Sequence, residues 1–135
     1  MRILIDTNVL VSAFVFSGKA GTLMNMLFES RHELLVSEYV DAEFKAILEM
    51  KWKEKAELVY SLYHSLPFIF CESSSVQLDN GNLRDTKDIP VLSDAMFNRA
   101  DLILSGDKDF IEAGLEHPLV YSPSMLYDYM LSQRK

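Results

Sequence analysis

Two short runs constrain this chain most: ILI at 3–5 and LIL at 102–104, apolar at every position and each followed closely by a carboxylate, Asp6 and Asp107. A strand turns alternate residues to opposite faces, so a run without polar alternation needs cover on both sides. The segments between these runs supply that cover. Residues 7–14 suit a short helix, with Ser17, Gly18 and Gly21 punctuating a turn after it. AGTLMNMLFES carries a wide apolar helical face, and ELLVS (33–37) is a second strand. Ser37 can cap a helix through YVDAEFKAILEM, and a lysine-rich helix, KWKEKAELVYSLYHSL, stops at Pro67. FIFC (68–71) reads as a strand or as the descent into a loop, and 72–90 has little periodicity. Pro90 opens another helix, PLVY (118–121) is a last strand, and Ser122-Pro123 opens a C-terminal helix. Strands alternating with helices predict an α/β fold with a mainly parallel sheet, in a single domain over residues 1–135. In such sheets ligands bind beyond the carboxyl ends of the strands, near a topological switch point, which is where Asp6 and Asp107 stand.

The remaining composition narrows the class. One cysteine, Cys71, excludes an intrachain disulfide framework, and His32, His64 and His117 lack the spacing of a zinc site. Asp6 and Asn8 interrupt the stretch where a signal peptide would be apolar, and no uncharged run is long enough to span a bilayer. The expectation is a cytoplasmic protein with no membrane partner. A net charge of −7 argues against electrostatic wrapping of nucleic acid as the main task, but not against an enzyme that grips a phosphodiester through metal ions.

Four acids fall in awkward places. Glu43 shares the helical stripe of Val40, Phe44, Ile47 and Leu48, where an acid is costly without a partner. Asp41, Glu38 and Glu49 read as surface charge. Asp88 stands at the mouth of the helix near Pro90, where an N-cap role explains it; Asp85, Asp107 and Asp109 each suit turn chemistry. Helix capping is equally open to Asp6. Taken together the acids ask for more. On a parallel sheet Asp6 and Asp107 emerge side by side, with Glu43 reaching the same cleft. Two carboxylates about 5 Å apart repel by roughly 3 kcal/mol at an effective dielectric of 20. Oxygen ligands without Cys or His favour Mg²⁺ or Mn²⁺, able to polarise a phosphodiester and activate water.

Three segments, ILIDTNVLVSA, SEYVDAEFKAIL and RDTKDIPVLSDAMFNRADLILSGDKDF, resemble PIN-domain ribonucleases over roughly residues 2–125. Within that family the chain looks closest to VapC-like toxin components of toxin–antitoxin pairs. The resemblance implies a three-layer α/β/α sandwich and a metal-dependent endoribonuclease site. Matched by motif, Asp6, Glu43, Asp88 and Asp107 would be the catalytic, metal-holding acids. Asn8 and Ser105 match small polar positions that support them, and Asp85 and Asp109 match further frequent acids behind them. It also implies a homodimer, an RNA substrate and a small antitoxin partner. Asp94 departs from the pattern, standing where a small or apolar residue is usual. Lys51, Lys53 and Lys55 around Trp52 read as a solvated helix face or as a basic arm with a stacking surface.

Two rivals remain at this point. An aspartyl-phosphate phosphatase would use Asp6 as nucleophile but wants a second acid at position 8, which is Asn8. A catalytically weak PIN fold acting only through protein partners is the other.

Overall fold

The computed structural model describes residues 1–77, 83 and 85–133. Five strands form one parallel sheet: β1 (Arg2–Ile5), β2 (Glu33–Ser37), β3 (Ile69–Cys71), β4 (Leu102–Leu104) and β5 (Leu119–Tyr121). Their order is β3-β2-β1-β4-β5. The chain leaves β1 toward β2 on one side and returns to β4 on the other, so the switch point lies at the carboxyl end of β1. Leu4 stands level with Leu35 on one side and Ile103 on the other.

Ile3, Leu4 and Ile5 are all fully buried, as are Ile103 and Leu104. Because neighbours along a strand point to opposite faces, this requires cover on both, making an α/β/α sandwich. The layers come from α1 (Thr7–Val11), α2 (Gly18–Phe28), α3 (Glu38–Lys51), α4 (Ala56–His64), α5 (Asp88–Phe97), α6 (Lys108–Ile111) and α7 (Pro123–Gln133). Val40, Phe44 and Leu48 of α3 are buried at helical spacing, and Ser37 caps that helix by accepting from the Val40 N–H. Under α3 an aromatic cluster forms, with Phe44 and Tyr63 in edge contact at 4.8 Å and Phe14 against both.

Several expectations change. The first helix does not end at Phe14: α1 passes into a π-helical turn, Ser12–Phe16. Gly21 lies inside α2, and the turn is confined to Ser17 and Gly18, both at positive φ (66° and 52°), which bend the chain by 103°. Among the described residues no single helix is long and apolar enough to cross a membrane. The lysine-rich segment is not one helix. Trp52 leaves the helical conformation (φ −135°, ψ 48°) while its N–H still bonds to Leu48, and α4 begins only at Ala56. FIFC supplies an edge strand, β3, and a further four-residue helix, α6, follows Asp107.

Asp41 is not plain surface charge. It accepts hydrogen bonds from the hydroxyls of Tyr60 (3.0 Å) and Tyr63 (2.7 Å), with His64 Nε2 at 3.5 Å. Burial, then the hydrogen bond to Asp41 and its charge, push Tyr60 up to about 12. The carboxylate thus pins α4 to α3.

Candidate functional site

The site is built where β1 and β4 end side by side. Asp6 follows β1 directly, its N–H bonded to the Leu104 carbonyl, and its Oδ1 caps α1 by accepting from the Thr7 N–H at 2.8 Å. Capping and membership of the acid cluster coexist, because the second oxygen is turned elsewhere. Asp6 Oδ2 accepts from the Ser105 hydroxyl at 2.8 Å and, at 3.4 Å, from the Asn8 amide. Ser105, fully buried, also accepts from the Asp107 N–H at 3.1 Å. Asn8 Oδ1 in turn accepts from the Gly106 N–H at 2.8 Å. Gly106 permits that approach, since a Cβ there would stand 3.3 Å from Asn8 Oδ1. Asn8 and Ser105 thus lock the two strand ends into one unit.

Asp107 caps α6 by accepting from the Asp109 N–H at 2.9 Å. Asp88 corrects an expectation: it is the first residue of α5, the N-cap is Lys87, and no side chain caps this helix. The N–H of Lys87 bonds to Asp85 Oδ1 at 3.0 Å. Freed from capping, Asp88 is buried, and its Oδ2 has no hydrogen-bond partner. Asp85, Asp88 and Asp107 each offer an oxygen within 4.8 Å of the others. Asp85, ranked behind the motif acids, stands within this tight group. Its turn bonds and its place beside Asp88 are compatible uses of one carboxylate.

Glu43 reaches in from α3, half-buried, with the Tyr39 hydroxyl 3.5 Å from its Oε2. It and Asp6, Asp88 and Asp107 line one cleft of about 480 Å³. Asp109 is exposed beside it on α6 and is not among the lining residues. A different groove, between α3 and α4, contains none of these acids.

The electrostatics match the crowding. Burial, then the charge of Asp107 and its close carboxyl contact, raise Asp88 to about 7, with Asp6 and Asp85 adding to the shift. Asp6 is raised chiefly by burial, against the lowering effect of its bonds from Ser105 and Thr7, and with help from the charges of Glu43 and Asp107. A cluster of carboxylates, one with an unpartnered buried oxygen, fits a hard divalent cation: oxygen donors, excess negative charge and a lone pair without a proton donor.

Asp88 binds its proton more tightly folded than unfolded, so the metal-free protein loses stability as pH rises from about 4 to about 7, and the whole penalty stands above that. In chelator at pH 8, Asp88→Asn is expected to melt a few degrees above wild type. The difference should fade as pH falls toward 4. A melt unchanged at pH 8 would mean that the cluster carries little strain.

A family model described as "PIN domain" matches residues 2–109, a span that contains all four motif acids and both strand ends. No curated protein matches the chain. Among solved structures, one described as VapBC2 from Rickettsia felis, bound to a DNA fragment from their promoter, aligns with a TM-score of 0.67 at 16% identity. That alignment covers 90% of this chain and 98% of the other. At that identity the likeness concerns the fold, whereas the family model follows the sequence through both aspartate-ended strands and the helices between them. The chain belongs to the PIN-domain family.

Proposed function

We propose that this protein is a metal-dependent endoribonuclease, the toxin component of a type II toxin–antitoxin pair, acting in the cytoplasm on RNA phosphodiesters. The observation that carries the chemistry is the convergence of Asp6, Glu43, Asp88 and Asp107 on one cleft, with Asp88 Oδ2 buried and unpartnered. These four would hold Mg²⁺ or Mn²⁺, with Asp85 close enough to join them. When bound, such a cation supplies charge neutralisation of the phosphodiester and a water of lowered pKa. The chain's own contribution is placement. Ser105 and Thr7 hold Asp6 in one orientation, and Asn8 fixes the loop that presents Asp107. Glu43 completes the cleft from α3.

The toxin assignment rests on the resemblance to VapC-like chains, supported by a fold shared with a VapBC2 structure. It brings with it a small antitoxin partner and a homodimer. The phosphatase alternative is disfavoured at position 8, where Asn8 is engaged with Gly106 and Asp6 and no acid stands.

The test is cleavage of a mixed RNA panel by the purified protein in Mn²⁺ or Mg²⁺. Internal cuts are expected with metal and none in chelator. Release of phosphate from a generic monoester, with RNA left intact, would favour the phosphatase instead. Failure to bind Mn²⁺ in a calorimetric titration would favour a protein-binding scaffold.

A further inference from the structure

Glu43, Ile47 and Lys51 of α3 all line the acid cleft, spaced four residues apart on one helical stripe. That stripe runs about 12 Å from the acid to the lysine. Directly after it, Trp52 also lines the cleft, held in place by its N–H bond to Leu48 and by edge contact with Phe16 (5.5 Å, 82°). Phe16, 67% exposed, leaves its ring open to solvent next to Trp52. Lys87 lines the same cleft at the start of α5. Of the three lysines around Trp52, only Lys51 faces this cleft, since Lys53 lines the separate groove between α3 and α4.

The cleft is therefore polar in the electrical sense. Its floor gathers acids, and its rim carries the exposed Lys51 and Lys87 together with the half-buried Trp52, whose ring meets the exposed Phe16. A metal-holding floor explains the acids but not the rim. A nucleic-acid strand uses both: phosphates meet the lysines, and an unpaired base meets an aromatic face with little regard for sequence.

We propose that Trp52, in edge contact with Phe16 and sharing the cleft with Lys51 and Lys87, is a base-stacking subsite that receives one unpaired nucleobase of the strand whose backbone crosses the acids. The identity of that strand as RNA rests on the ribonuclease reading above. Trp52 in this role is a positioning residue for the scissile phosphate. A paired base has its faces already stacked within the helix and cannot enter.

Trp52 is the chain's one tryptophan, so its fluorescence reports the subsite directly. Titration of the Asp6→Asn protein in Mg²⁺ with single-stranded oligoadenylate is expected to quench it. Duplex RNA and an abasic ribose-phosphate strand of equal length should not. In otherwise wild-type protein, Trp52→Leu should raise KM for single-stranded RNA about tenfold, with the loss falling mainly on KM, and Trp52→Phe should restore most of it. Phe16→Ala, at an exposed position, should give a smaller rise and guards against misfolding of the Trp52 variants. Equal quenching by the abasic strand, or KM unmoved in both Trp52→Leu and Phe16→Ala, would overturn the subsite and leave the nuclease standing. Base-dependent quenching without cleavage of any RNA would do the reverse.

Discussion

Asp6→Asn and Asp107→Asn are each expected to fold normally and to lose metal-dependent RNA cleavage by about a thousandfold, equivalent to about 4 kcal/mol of transition-state stabilisation. The fold should survive because asparagine keeps what the backbone needs. At position 6 its carbonyl oxygen can still accept from the Thr7 N–H, and at position 107 from the Asp109 N–H. What disappears is charge. Each acid helps to raise a neighbour, Asp107 acting on Asp88 and on Asp6, so the variants also relieve repulsion in the metal-free cleft. Circular dichroism and a melt in chelator should therefore show intact, slightly more stable proteins, while single-turnover cleavage in Mn²⁺ collapses. Full activity in both variants would remove these carboxylates from the chemistry and falsify the proposed mechanism.

Asp94→Ala should destabilise the fold by about 3 kcal/mol, lowering the melting temperature by about 10 °C. Asp94 is 1% exposed, yet both oxygens are bonded: Oδ2 accepts from the Ser73 hydroxyl (2.9 Å) and Oδ1 from the Ser74 N–H (2.8 Å). The same Ser73 hydroxyl accepts from the Tyr39 N–H at 2.8 Å. A buried carboxylate on α5 thereby fastens the segment after β3 to the first turn of α3, the helix that carries Glu43. Alanine would leave the Ser74 N–H and the Ser73 hydroxyl without their acceptor. Asp94→Asn, which retains one carbonyl oxygen, should melt between the two. Identical melts for wild type and alanine would show that the segment is held by other contacts.

Legibility in the sequence followed distance along the chain. The paired apolar runs, the Ser37 cap and the stripe carrying Glu43 are local patterns, and each is where its spacing places it. Asp41 and Asp94 escaped because their meaning lies in partners about 20 residues away, Tyr60 and Tyr63 for one, Ser73 and Ser74 for the other. The break at Trp52 left no proline or glycine to mark it. Lysine and glutamate favour helix on both sides, and Trp52 ends up in a tertiary contact with Phe16 that no window of sequence contains. Asp88 misled for the opposite reason. Its position before Pro90 suggested a cap, but α5 begins one residue earlier than that role allows.

The strand order has a consequence for the timing of synthesis. β1 is made well before its partner β4, which carries the loop to Asp107 and is separated from it, among the described residues, by β2, β3 and five α-helices. Until the ribosome has passed Asp107, Asp6 lacks Ser105, Asp88 lacks the neighbouring charge that raises it most, and the cleft lacks one of its lining acids. A nascent chain therefore carries scattered acids and no assembled centre. The acid cleft takes shape only once the first and fourth strands have met.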